Sequence, residues 1–217
     1  ELSSGTQQKT AVARALASRA ELLLLDEPLG ALDVKVRAEL RYELRRLIKD
    51  LKLTAFHVTH DQEEAISISD RVIVMRKGRI VEAGTPIELY TSPKNMFTAN
   101  FVGETNFLKG TITSVSGEGS IVDIGRGQQL MTNSREVEVG GPVVIAFRPE
   151  YVSMGDGGRI NRLFGKVVEA IYSGRIVRLL VKLVSGDSVV VKGSFEKPVF
   201  NVGDEARMSI SQRSILV

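Results

Sequence analysis

The sequence has no cysteine, no tryptophan and two histidines. Without cysteine there is no disulfide framework, no thiolate metal site and no cysteine nucleophile; the absence agrees with a reducing compartment. Two histidines are too few for a histidine-rich metal centre. Apolar runs such as residues 22–25 are strand-sized, far short of the roughly 20 residues that span a bilayer. One-signed charge is also lacking. The 29 basic and 26 acidic residues leave a net charge of +3, too small and too dispersed to argue for a nucleic-acid surface. The chain starts at Glu1 rather than Met, with no basic-then-apolar leader. No signal peptide is expected, and the chain is expected to be a piece of a longer one.

What is present is ordinary globular material. A 43% hydrophobic content excludes wholesale disorder, and 217 residues suffice for one large or two ordinary domains. Glycine divides the chain, with five in residues 1–104 and fifteen in 105–217. A boundary is therefore expected near 103–105, with domains 1–104 and 105–217.

The first half alternates helix and strand. A helix is expected over 3–17 behind a serine cap. Residues 22–25 are expected to form a strand buried on both faces. A long helix over 33–51 should present Val36, Leu40, Leu44, Leu47, Ile48 and Leu51 as one stripe. A strand over 54–59 and a short helix over 61–67 capped by Asp61 follow. Lys77-Gly78 reads as a hairpin turn, and Pro86 and Pro93 each open a short helix. This pattern indicates an α/β layer with parallel sheet. The second half shows short β-rich runs about every 8–12 residues, the spacing of a small barrel or sandwich. Residues 110–124 and 165–183 begin alike, which points to internal duplication.

Four places carry potential chemistry. The run Leu22-Leu23-Leu24-Leu25-Asp26-Glu27 ends an apolar strand in two acids. In open parallel sheets ligands sit at the carboxyl ends of strands. Asp26 there is suited to hold Mg²⁺ and Glu27 to polarise a water as general base; a solvated Asp-Glu turn is the plainer reading. Leu2-Ser3-Ser4-Gly5-Thr6-Gln7-Gln8 precedes a helix, whose N-terminus attracts phosphate, although serine is also a common N-cap. His60, at the end of another strand, is placed to hydrogen-bond a phosphate oxygen or orient a water, or simply to sit at the surface. Asp33, in Leu29-Gly30-Ala31-Leu32-Asp33, has an N-cap as its plainer role.

Taken together, the order and spacing of these segments resemble the ATP-binding cassette ATPases. Residues 2–8 are similar to the family's signature, 22–27 to Walker B with the catalytic glutamate, 29–33 to the D-loop and His60 to the switch histidine. The resemblance implies a partial P-loop NTPase cassette followed by an all-β, OB-like barrel. It implies two subunits sandwiching two ATP molecules as a homodimer. Ser3, Ser4, Gly5 and Gln7 would then face the nucleotide held by the partner. Asp26 would serve Mg²⁺, Glu27 would activate water, His60 would hold the γ-phosphate and water in line, and Asp33 would couple the two sites. Catalysis of this kind is positioning plus electrostatic stabilisation.

The sequence departs from the family in three ways. It holds no G-x-x-x-x-G-K-[ST] phosphate loop, so the chain by itself is expected neither to bind ATP tightly nor to hydrolyse it. Ser4 stands where the family has glycine and Thr6 where it has glutamine. Lys9 replaces the usual arginine, which is not an equivalent cation.

The segments 84–86 and 93–101 resemble the passage from a cassette into an extra β domain. Phe147-Arg148-Pro149-Glu150 resembles a motif of the TOBE-type regulatory domains of importer ATPases. Arg148 and Glu150 have a structural ion pair as the alternative reading. The resemblance then implies a peripheral subunit at the cytoplasmic face of the cell membrane. Its partners would be transmembrane permease subunits and, indirectly, a solute-binding protein. The run 101–108 leans towards the polyamine group. Two alternatives stay open: a non-transport cassette ATPase, and a β domain that binds oligonucleotides through interleaved aromatics. The first would need coiled-coil arms, which are absent from the sequence. For the second, the aromatics of 105–217 are expected to be core and no nucleic acid is expected as partner.

Overall fold

A computed structural model describes residues 4–17, 21–30, 32–155, 160–194 and 200–217. The chain divides into two compact units, Glu1–Val102 and Gly103–Val217.

In the first unit α1 (Ser4–Ala17) leads to β1 (Leu22–Asp26). A long helix, α2 (Val34–Asp50), then returns the chain to β2 (Thr54–Val58), which pairs with β1 in parallel from Leu22↔Thr54 to Asp26↔Val58. Asp33 caps α2, accepting from the amides of Lys35 and Val36 at 3.1 Å each. At its other end the Leu53 amide bonds the Ile48 carbonyl at 3.0 Å, and Lys52 takes the left-handed conformation usual after a helix C-cap.

Parallel sheet is present, but it has only these two strands among the described residues. The expectation that 22–25 is buried on both faces fails. Leu23 and Leu25 are buried against Leu44, Ala15 and Ile48, while Leu22 is 49% and Leu24 72% exposed. Phe56 and Val58 of β2, at 58% each, lie on the same uncovered face. A strand is doubly buried only when layers cover both faces, and among the described residues one layer does so. The stripe of α2 is corrected likewise. Leu44 is buried and Val36, Leu40 and Ile48 half-buried, but Leu47 and Leu51 are exposed, and a charged residue, Arg41, is buried on the helix instead.

The rest of the unit is local. α3 (Gln62–Ile68) starts at the Asp61 cap. β3 (Val72–Arg76) and β4 (Arg79–Gly84) form a hairpin in which Lys77 and Gly78 both have positive φ, the geometry of a two-residue type I′ turn. α4 (Pro86–Thr91) has Pro86 in its first turn and a capping box between Thr85 and Glu88. Pro93 does not open a helix. α5 (Met96–Val102) begins three residues later, where the Asn95 side chain accepts from the Thr98 amide at 2.8 Å.

The second unit is all β. One antiparallel sheet has the order β7-β6-β5-β8, with β5 Asn106–Ser116, β6 Gly119–Asp123, β7 Gln129–Thr132 and β8 Pro142–Phe147. The other has the order β12-β11-β10-β13-β9, with β9 Val152–Met154, β10 Arg162–Ser173, β11 Ile176–Leu183, β12 Ser188–Gly193 and β13 Glu205–Ile210. Both contribute to one cluster of buried side chains, from Leu108 and Phe147 to Leu179 and Met208. Strands β7 and β9 are short, with four and three residues. The aromatics are not all core. Phe147 is buried, but Phe164 and Tyr172 are 42% and 47% exposed. Phe195 lies outside the described residues.

The two similar segments have matching geometry. Asn-x-Leu-x-Gly occurs at 106–110 and at 161–165. Each asparagine brackets the main chain of a strand in the opposite sheet. Asn106 bonds the amide and carbonyl of Val190 at 2.7 and 2.8 Å, and Asn161 those of Met131 at 2.6 and 2.8 Å. Each leucine is fully buried, and each long strand bulges soon after its glycine. The glycines are needed because the neighbouring strand lies too close for a side chain. A Cβ on Gly110 would stand 2.4 Å from Val122 Cγ1, and one on Gly165 would stand 2.4 Å from the Lys182 carbonyl. Gly165→Ala and Gly110→Ala should each lower stability by about 1–3 kcal/mol, the usual cost of overpacking. Gly117→Ala, with nothing within 4 Å, should change it by less than about 0.5 kcal/mol. Urea unfolding of the three variants checks this.

Candidate functional site

The parallel pair sets the geometry. Asp26 ends β1 level with Val58 at the end of β2. One residue on, the Glu27 amide still bonds the Val58 carbonyl at 2.9 Å, so Glu27 leaves the sheet beside residues 58–60. Glu27 has φ +43°, a left-handed conformation that a residue with a Cβ adopts at a cost of about 1–3 kcal/mol. The turn is closed by the Gly30 amide on the Glu27 carbonyl at 3.1 Å. Its result is that Glu27 Oε1 stands 3.0 Å from His60 Nδ1, across 33 residues of sequence. Both side chains are open to solvent, His60 at 75% and Glu27 at 52%. Against an ionised carboxylate, which only accepts, the imidazole carries its proton on Nδ1. Its Nε2 is then turned to whatever approaches.

Beneath this pair lies a network of charges. The Asp61 carboxylate caps α3 through the Glu64 amide at 3.0 Å and meets Arg37 at 3.4 Å and Arg41 at 3.6 Å. Arg37 also donates to the carbonyls of Gly30 at 3.3 Å and Leu32 at 2.9 Å. Thr59 donates to Glu64 Oε2 at 2.7 Å and accepts from the Asp61 amide at 3.0 Å. Glu64 is buried, and its other oxygen is 2.7 Å from His57 Nε2. Neither His57 ring nitrogen makes an aligned hydrogen bond. Burial pushes the Asp61 carboxyl up, but the Glu64 amide and the two guanidiniums outweigh it and hold it below its ordinary value. Burial likewise pushes Glu64 up, and His57 and Thr59 bring it below its ordinary value.

The other predicted residues are distributed as follows. Asp33 is the cap of α2. Ser4, Gly5 and Gln7 stand in the first turn of α1, a different element from the Glu27–His60 pair. Ser3 lies outside the described residues. Asp26 is exposed at the strand end. Among the described residues no group of three His, Asp or Glu side chains is placed to hold a metal by itself. Arg148 is buried and donates to the carbonyls of Gly103 at 2.8 Å and Glu104 at 3.3 Å and to the Thr105 hydroxyl, so it clamps the start of the β unit.

Sequence reading missed Arg37, Arg41, His57 and Glu64. The signal was there: Arg37, Arg41, Arg45 and Lys49 recur every four residues along α2, one helix face of cations. All four find partners on or beside α3. Arg41 reaches Glu63 at 3.3 Å, Arg45 reaches the Ile68 carbonyl, and Arg45 and Lys49 reach Asp70 at 3.6 and 2.6 Å.

Comparison with known proteins places both units. Residues 1–30 match the ABC transporter family and residues 145–217 the TOBE domain. The chain is 39% identical over 207 residues to the spermidine/putrescine import ATP-binding protein PotA of Thermobifida fusca, covering 94% of this chain and 54% of that protein. It is 41% identical over 192 residues to the protein of the same name from Rubrobacter xylanophilus, covering 87% and 51%. With that of Marinobacter nauticus it shares 40% over 215 residues, covering 96% and 58%. The chain thus spans about half the length of the curated relatives it matches. No helix among the described residues is long and apolar enough to cross a membrane.

The shifts of Asp61 and Glu64 imply a sign for acid stability. Both carboxyls lie below their ordinary values of 3.8 and 4.5 in the folded chain. Their stabilisation is therefore present above those values and is lost as pH falls through the lower, folded ones. The first unit should weaken as pH drops below about 4, and Asp61→Asn, which keeps a capping oxygen, should flatten that decline. Urea unfolding from pH 6 to pH 3, followed by circular dichroism at 222 nm for helix, measures it.

Proposed function

We propose that the chain forms the signature, Walker B and switch portion of an ATP-hydrolysing importer subunit of the ABC transporter family, whose model residues 1–30 match and whose import ATP-binding members it resembles at about 40% identity. The observation that supports this most directly is the Glu27–His60 contact at the carboxyl end of the parallel strands. A carboxylate there is positioned as general base for water. An imidazole fixed to it by Nδ1 keeps Nε2 for a phosphate oxygen. Asp26 would hold Mg²⁺, which when bound neutralises charge on the phosphate oxygens. Ser3, Ser4, Gly5 and Gln7, at the start of α1, would address the ATP of a second copy in a homodimer, and Asp33 would sit at the contact between the two sites.

The phosphate-binding loop has no counterpart in these 217 residues, so a complete site draws it from elsewhere. The uncovered face of β1 and β2 is suited to receive such a segment. The second unit, in this reading, is an OB-like regulatory domain. The relatives are named for spermidine and putrescine import, which favours a polyamine as the transported solute. Permease subunits, a solute-binding protein and a place at the cytoplasmic face of the membrane follow from the same reading.

ATP hydrolysis tests it. The chain by itself should release phosphate from Mg·ATP at no more than background. Joined to a cassette segment bearing G-x-x-x-x-G-K-[ST], it should hydrolyse ATP. Glu27→Gln in that protein should lower kcat by about 10²–10⁴-fold, the usual weight of a general base, with ATP still bound. Undiminished turnover by Glu27→Gln would remove Glu27 from the role.

A further inference from the structure

The contacts around His60 close into a ring. Glu27 Oε1 meets His60 Nδ1 at 3.0 Å. The Glu27 carbonyl accepts from the Gly30 amide at 3.1 Å, and the Gly30 carbonyl accepts from Arg37 Nη2 at 3.3 Å. Arg37 Nη1 reaches Asp61 Oδ2 at 3.4 Å, and Asp61 directly follows His60. The same guanidinium also holds the Leu32 carbonyl at 2.9 Å, one residue before the Asp33 cap. Arg37 thus grips the turn that carries Glu27 and, through Asp61, the segment that carries His60.

The geometry points to Arg37 as a positioning residue that sets His60 against Glu27. The inference rests on the reading of Glu27 and His60 as the hydrolytic pair. Three features support it. A planar guanidinium presents its donors in a fixed fork, so three oxygens on two segments define one placement. The side chain is 27% exposed and Asp61 21%, which limits competition from water. The backbone it holds is strained, because Glu27 has φ +43°. A strained turn needs surrounding contacts to keep its conformation, and Gly30 and Leu32 are where those contacts fall.

A clamp that only fastens α2 to α3 is the competing account, and Arg41 already supplies one. It meets Asp61 at 3.6 Å and Glu63 at 3.3 Å and is itself buried. Arg37→Ala therefore leaves Asp61 with a cation, and α3 should stay docked. Asp61→Asn retains the helix cap while removing the charge that Arg37 holds.

The test uses the 217-residue chain labelled with ¹⁵N-histidine, whose two imidazoles are His57 and His60. With the proton held on Nδ1, the two ring nitrogens of His60 have widely separated ¹⁵N shifts at alkaline pH. In Arg37→Ala and in Asp61→Asn these shifts should draw together, towards those of Glu27→Ala, as the imidazole exchanges tautomers. His57, buried on β2, should keep its shifts and so report an intact fold. Arg37→Lys should behave as Arg37→Ala does. If Arg37→Ala disturbs His57, Asp61→Asn decides. Parent-like His60 shifts in either variant, with His57 undisturbed, overturn the proposal. The readout needs no nucleotide, so a failure of ATP hydrolysis in the joined protein and a failure here are separate results.

Discussion

The row of cations along α2 is the interaction on which the first unit turns. A parallel strand pair places Asp26, Glu27 and His60 at one end, but a seven-residue helix such as α3 is too short to persist alone. It is fixed by Arg37, Arg41, Arg45 and Lys49, one per helical turn, each meeting an acid or a carbonyl on or beside α3. The row is graded. Lys49 and Asp70 are half exposed or more, and such a pair contributes about 0–1 kcal/mol. Arg41 is buried, and removing a partner from a buried charge costs far more. The row is therefore tightest at Arg41.

The site combines an open surface with a constrained base. Glu27 and His60 are accessible, as the roles proposed for them require. The residues that hold them are not: Glu64, Arg41 and the His57 side chain are nearly inaccessible to solvent. The division follows from dielectric. Charges that fix geometry work best out of water, where their interactions are least screened, and charges that handle phosphate and water must be reachable. Strain at Glu27 fits the same scheme, since an unfavourable backbone conformation persists only where neighbours over-determine it.

Much of this was legible in the sequence, for definite reasons. The capping residues Asp33, Asp61 and Thr85, the Lys77-Gly78 turn and most of the β strands announce themselves through local chemistry. So did Asp26, Glu27 and His60, which stand at or just past strand ends. What stayed hidden depends on contacts distant in sequence. Nothing near Arg41 says that it is buried, nor anything near Glu64 that its carboxylate faces His57 in β2. Pro93 has the composition of a helix start, yet Asn95 caps the helix instead. The two-sided burial expected of Leu22–Leu25 assumed a second layer over the sheet, and apolar composition alone cannot show whether that layer is there.

The uncovered face of β1 and β2 has a practical consequence for the isolated polypeptide. Leu22, Leu24, Phe56 and Val58 form an apolar ribbon on a sheet that, among the described residues, has two strands and no third along either edge. Such a ribbon templates edge-to-edge pairing with other chains. The β unit gathers its buried apolar side chains in one shared core. On concentration, self-association of the chain should begin in the first unit and be strongest through these two strands. A charge placed at Leu24 or Phe56 would be the natural gatekeeper for handling the polypeptide in solution.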